Sequence, residues 1–143
     1  MLEALKQAEK AYKANEVPVG CVIVKDDKII AKAFNKRNTS KMACAHAEIL
    51  AINKACKKLK DWRLSGCSLF VTLEPCPMCA GACFNARIDN VIFGATDEKS
   101  GAFTSEVKMQ NKNLLNHTLN VRGEVLKEPC EKLISDFFKA KRK

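Results

Sequence analysis

The chain has 143 residues and no apolar run near the ~18 residues that a membrane-crossing helix needs, which excludes a helical membrane protein. Its first residues, Met1-Leu2-Glu3-Ala4-Leu5-Lys6, carry an early acid and no apolar core, unlike a secretory signal. There is no internal repeat, low-complexity tract or long linker. The expectation is therefore one domain over residues 1–143, in the cytoplasm. Acid is also in short supply: 16 Asp and Glu stand against 25 Lys and Arg, for a net charge of +9. Such a surface concentrates anionic partners, nucleic acid foremost.

Cysteine is plentiful. Cys21, Cys44, Cys56, Cys67, Cys76, Cys79, Cys83 and Cys130 would suggest a disulfide framework in a small secreted chain. Nothing here indicates export, so close pairs read as metal ligands or reactive thiols and the rest as small buried hydrophobes.

Periodicity predicts a helix from Leu2 to about Asn15, ended by Pro18 and Gly20. Val19–Val24 and Lys28–Phe34 read as a hairpin turning at Asp26-Asp27. A polar loop from Asn35 to about Met42 precedes a helix from Ala43 to Leu59, with Ile49, Leu50, Ile52 and Cys56 expected inward. Ser68–Leu73 is a buried strand, and Pro75 and Pro77 mark a helix start running to about Arg87. Asn90–Gly94 is a further strand. Residues 95–116 are polar and irregular, suited to a binding loop. Leu119–Val125 is a last strand. A final helix from about Glu128 turns Leu133, Ile134 and Phe137 or Phe138 inward and ends in Lys139, Lys141, Arg142 and Lys143. Alternating strands and helices predict an α/β fold, a three-layer α/β/α sandwich on a mixed sheet of about five strands opened by an antiparallel hairpin.

Two segments carry chemistry: His46-Ala47-Glu48 and Pro75-Cys76-Pro77-Met78-Cys79. Cys76 and Cys79 share a helix face in the first turn, where the positive helix pole favours thiolate. With His46 they make three N/S ligands, and a fourth tetrahedral position stays open for water, as in catalytic zinc sites. Glu48 then serves as the proton carrier beside that water. His46 and Glu48 are two residues apart and do not share a helix face, so both must sit at the helix end. A redox Cys-x-x-Cys pair would leave His46 and Glu48 unexplained. A closed structural site would recruit Cys83 or Cys44 as fourth ligand, in a non-enzymatic, zinc-stabilised RNA-binding module.

At these residues the chain resembles the cytidine/deoxycytidylate deaminase superfamily, whose zinc signature is His-x-Glu with Pro-Cys-x-x-Cys. It is most similar there to bacterial tRNA-specific adenosine deaminases. The likeness runs through Glu16-Val17-Pro18-Val19-Gly20, Asn35, residues 45–48, residues 71–82, Ala86-Arg87-Ile88, Phe93-Gly94-Ala95, Lys99-Ser100-Gly101-Ala102, Asn116-His117 and residues 135–138. The segment 103–113 is more lysine-rich than that pattern. The resemblance implies one Zn2+ per subunit on His46, Cys76 and Cys79, catalysis by Glu48, and a homodimer acting on the wobble adenosine of an arginine tRNA. It implies that Asn35 contacts the nucleoside, that Val19, Ala47 and Phe138 wall the pocket, and that Asp97, Asn116 and His117 lie near flanking nucleotides. Guanine, cytosine or cytidine remain alternative substrates, because the zinc motif is shared.

Overall fold

A computed structural model describes residues 1–104, 107–112 and 114–142. Lys143, expected at the end of the last helix, lies outside the described residues. The first helix, α1 (Leu2–Lys13), buries Ala4, Gln7, Ala8 and Ala11, a stripe at helical spacing. Strand β1 (Gly20–Lys25) runs beneath it. A Cβ on Gly20 would come within 2.0 Å of the Ala4 carbonyl oxygen, so glycine here lets helix and strand touch backbone to backbone.

Asp26 and Asp27 both adopt positive φ, 51° and 62°, in the two-residue turn to β2 (Lys28–Phe34). Such turns match the right-handed twist of the strands they join. Next come a short helix, α2 (Arg37–Ser40), then α3 (Ala47–Leu59), β3 (Cys67–Leu73), α4 (Pro77–Asn85), β4 (Asn90–Ala95), β5 (Asn120–Arg122) and α5 (Lys127–Lys141). The sheet order is β2-β1-β3-β4-β5. β1 is antiparallel to both β2 and β3, while β3, β4 and β5 are parallel, so the sheet is mixed as expected. Helices α1 and α5 cover one face, with Tyr12 meeting Phe137 edge to face at 5.7 Å. Helices α3 and α4 cover the other, over a core that includes Ile23, Leu69, Val71, Phe84 and Phe93.

The sequence patterns miss in three places. The helix expected from Ala43 starts at Ala47, because the Ala45 carbonyl accepts the Lys36 N–H and ties this stretch to the end of β2. Its buried face is Ala47, Glu48, Ala51, Ile52 and Ala55; Leu50 and Cys56 pack only partly. The loop after Asn35 contains α2. The last strand shrinks to Asn120–Arg122, since the chain bends away at Gly123 and the Val125 N–H bonds the Phe93 carbonyl instead. In α5, Phe137 is buried and Phe138 is 45% exposed, as two adjacent helical positions must differ.

Among the described residues between β4 and β5 no long helix makes the crossover; two 3₁₀ turns, Met109–Asn111 and Leu114–Asn116, occupy part of it. No helix among the described residues is long and apolar enough to cross a membrane.

Candidate active site

The site opens where β2, β3 and β4 end and two helices begin, the position at which open α/β sheets leave a crevice. His46 caps α3 in extended conformation, φ −75° and ψ 153°, and Cys76 caps α4 in the same way, φ −74° and ψ 170°. Pro77 starts α4, where its missing N–H costs nothing. The extended backbone at His46 swings its ring off the helix axis, while Glu48, one turn position inside α3, points into the same space. This resolves the spacing problem of His-x-Glu.

His46 Nδ1 lies 3.5 Å from Cys79 Sγ and 3.8 Å from Cys76 Sγ, and the three ligand atoms lie within 4.8 Å of one another. Tetrahedral zinc, with bonds of about 2.05 Å to nitrogen and about 2.3 Å to sulfur, requires an N···S separation of about 3.6 Å. The three residues therefore fit such an ion. The Cys79 thiol and the His46 ring both hydrogen-bond toward Cys76 and bring its pKa down to about 4, against the opposing effect of burial. Cys83 stays apart: it is fully buried in the core, and burial pushes its thiol up. Cys44 is exposed. Neither joins the cluster, which excludes the closed four-ligand arrangement among the described residues.

Glu48 is 4% exposed. Burial is the main cause that lifts its carboxyl to about 7; nearby Cys76 adds to the rise, and His46 and the Cys79 thiol oppose it. A carboxyl poised near neutrality can both take and give a proton.

These groups face a cavity of about 330 Å³, within the usual range for small-molecule sites. Its lining includes Val19, Asn35, His46, Ala47, Glu48, Cys76 and Asp97, all singled out from the sequence. Asn35 is held on both ends: its Nδ2 donates to the Val17 carbonyl at 3.2 Å, and its Oδ1 accepts the Arg37 N–H at 3.1 Å. Asn116, His117 and Phe138 do not line this cavity. His117 presents Nε2 to the Ile88 carbonyl and its ring edge to Phe84. Asn116 and Phe138 are exposed.

Two lining residues to which the sequence patterns give no role are Glu16 and Glu74, 1% and 2% exposed. Glu16 accepts the N–H groups of Asn38 and Thr39 at 3.0 and 2.6 Å. Glu74 accepts four hydrogen bonds from residues 97, 103 and 104. In each, burial would raise the pKa, yet the hydrogen bonds outweigh it and hold the carboxyl below its ordinary value. The available signal was a lone acid next to an apolar run, Glu74 straight after β3 above all.

Residues 1–142 match the MafB19-like deaminase family. The chain is 47% identical to the tRNA-specific adenosine deaminase of Bacillus subtilis (strain 168) over 143 residues, covering 100% of this chain and 89% of that one. It is 46% identical to the enzyme of the same name from Aquifex aeolicus, covering 95% and 89%. Among solved structures, one from work on A-to-I editing by tRNA deaminases at the wobble position superposes with a TM-score of 0.89 at 38% identity, covering 93% of this chain and 96% of that one. A guanine deaminase from Bacillus subtilis is 43% identical over 66% of this chain and 61% of its own, with a TM-score of 0.64. A match along the full length, joined to a ligand triad and carboxyl in the places that the deaminase signature demands, leads to one conclusion: the chain belongs to the tRNA-specific adenosine deaminases of the MafB19-like deaminase family.

Proposed function

We propose that residues 1–143 form one zinc-dependent deaminase domain that converts adenosine to inosine at the wobble position of tRNA, an arginine tRNA in the first instance. The observation that carries the reading is Glu48, buried and lifted to about 7, facing the same cavity as His46 and Cys76. His46, Cys76 and Cys79 would hold one Zn2+ per subunit, and the bound ion supplies a water activated near neutral pH. Glu48 would accept a proton from the attacking water, deliver it to N1 of adenine, and carry that water's second proton to the departing amino group. The water oxygen is retained on C6 and ammonia leaves.

In this reading the target base is splayed out of its loop into the cavity, where single-stranded bases can be read. Asn35, Val19 and Ala47 contact the nucleoside, and Asp97 lies near the flanking nucleotides. The net charge of +9 favours docking of RNA. Asn116, His117 and Phe138 belong to the surface that meets RNA beyond the target base, presented by a cytoplasmic homodimer.

Inosine formation in an arginine anticodon stem-loop with a wobble adenosine tests the assignment, with guanine and cytidine in parallel and the Glu48→Ala chain as blank. Inosine at that one position, absent from the blank, is the expected result. A second reading, hydrolysis of free guanine, is favoured by the likeness to a guanine deaminase over two-thirds of the chain. Ammonia from guanine with no inosine would establish it in place of the first.

A further inference from the structure

The stretch from Ala95 to Thr104 has no helix or strand beyond the end of β4, yet Asp97 and Ser100 from it line the cavity. Something other than secondary structure must fix its shape. Glu74 lines the cavity, just past the last residue of β3 and two residues before Cys76. Its Oε1 accepts the Asp97 N–H at 3.0 Å and the Thr104 hydroxyl at 2.6 Å. Its Oε2 accepts the N–H groups of Phe103 and Thr104 at 2.9 and 2.8 Å. The loop is thus wrapped around one carboxylate.

The packing confirms how closely. A Cβ on Gly101 would lie 2.3 Å from Glu74 Cδ and 2.4 Å from Oε2, so the loop passes directly over the carboxylate. The Ala102 N–H bonds the Pro75 carbonyl at 3.0 Å, adding a tie one residue nearer to Cys76. Inside the loop, Asp97 Oδ1 accepts the N–H groups of Lys99 and Ser100 at 3.2 and 3.0 Å. Placing Asp97 therefore also places Ser100. All four partners of Glu74 are neutral donors, and its acceptor oxygens are turned toward the loop. This is a fastener and not a proton carrier.

We propose that Glu74 is a positioning residue: through its hydrogen bonds to Asp97, Phe103 and Thr104 it holds residues 97–104 as a pre-formed wall of the pocket, so that Asp97 and Ser100 meet the target nucleotide without first being ordered. The proposal rests on the reading of the cavity as the wobble-adenosine pocket. Without Glu74 the loop must be ordered at the moment of binding, and that cost falls on substrate affinity. Glu48 and the three ligand residues keep their places.

The test is Glu74→Gln, which puts an amide NH2 where an N–H donor needs an acceptor. It is compared with Asp97→Ala and with the double variant on the anticodon stem-loop. Zinc content per chain, melting temperature, KM and kcat are measured. The expected result is full zinc content, KM raised about tenfold with kcat changed much less, as for an interaction that serves binding. The double variant should be no worse than the worse single, since one acts through the other. Unchanged KM with only a lower melting temperature, or losses that multiply in the double variant, would overturn the proposal.

If Glu74→Gln does not fold, Thr104→Val removes one of the four donors. It should then raise KM about two- to threefold, the size expected for one surface-side hydrogen bond; no rise would overturn it. A wild-type chain that forms no inosine but deaminates guanine defeats the tRNA reading by itself, and the same comparison is then made on the KM for guanine.

Discussion

Glu48 and Glu74 are buried carboxylates facing one cavity, and they are held in opposite ways. Glu48 sits in the first turn of α3 beside His46, Cys76 and Cys79, and burial lifts its carboxyl to about 7. At Glu74, just past β3, burial acts in the same sense, but four hydrogen-bond donors outweigh it and keep the carboxyl ionised. Glu48 is the more deeply desolvated of the two, and Glu74 has the more donors; both differences push the pair apart. A carboxylate with its lone pairs engaged is fixed and inert. One that burial has left near neutrality can carry a proton. In the proposed function they divide the work: the Glu48 side, here the floor, holds the chemistry, and the Glu74 side, here the rim, holds the shape.

If that division is right, the largest losses come from the floor. His46→Ala or Cys76→Ala leaves two ligands where three are needed to keep an open tetrahedral site. Metal analysis should find zinc falling from one per chain to a small fraction, and inosine formation should fall by more than about 10³-fold, since the activated water goes with the ion. Chelation of the wild-type chain should reproduce the loss, and added zinc should reverse it. Next comes Glu48→Gln, which keeps the shape and removes the proton carrier. Zinc content should stay at one per chain while kcat falls by roughly 10²–10⁴-fold, the range for general acid–base catalysis. A Gln variant with near wild-type kcat would assign proton transfer to another group.

The same division explains what could be read from the sequence. The floor is made of local patterns: Pro77 at a helix start, Cys76 and Cys79 three apart, His46 just before an apolar-periodic helix. Each motif sits on an element that it helps to define, so spacing singled out His46, Cys76 and Cys79, whose ligand atoms lie within 4.8 Å of one another, and most of the sheet. The rim depends on contacts far apart in the chain. Glu74 reaches Thr104 thirty positions away, and Glu16 reaches Thr39 across twenty-three. No periodicity encodes such pairings. The start of α3 was missed for the same reason: the bond from Lys36 to Ala45 that delays it joins a polar loop to a small apolar stretch, 43–45, that by itself reads as helix.

Two glycines sharpen the contrast at a smaller scale. Gly81 lies in the middle of α4, the helix that begins at Cys76, with nothing within 4 Å of a Cβ built there. Gly81→Ala should stabilise the chain by up to about 1 kcal/mol through helix propensity alone and leave activity intact. Gly101 lies on the rim, where the same methyl would strike the Glu74 carboxylate and the Asp97 carbonyl oxygen, at 2.3 and 2.5 Å. Gly101→Ala should cost about 1–3 kcal/mol by overpacking and raise KM for the stem-loop. Melting curves of the two variants, run side by side, should move in opposite directions; movement in the same direction would mean that the rim is looser than its hydrogen bonds imply.

The smallest effect expected is one of pH, on the wall opposite Glu74. Glu16 accepts the N–H groups of Asn38 and Thr39 and so anchors the start of α2, next to Asn35. Burial pulls its carboxyl upward, but hydrogen bonds from Thr39 and Asn38 prevail, and the folded-state pKa lies below the ordinary 4.5. A group depressed in the folded state binds protons more readily when unfolded. Its contribution to stability is therefore complete above the unfolded-state pKa and is lost as pH falls through the folded one. Denaturant unfolding of the wild-type chain, followed from about pH 6 down to about pH 3, should show this acid-side loss as one part of a larger slope. Glu16→Gln cannot titrate. It should start less stable at neutral pH, because an amide NH2 now faces a backbone N–H, and should lose less on acidification, so the two curves converge. Parallel curves would show that Thr39 and Asn38 bond the neutral carboxyl as well as the ionised one, and that this wall is held by shape where the other is held by charge.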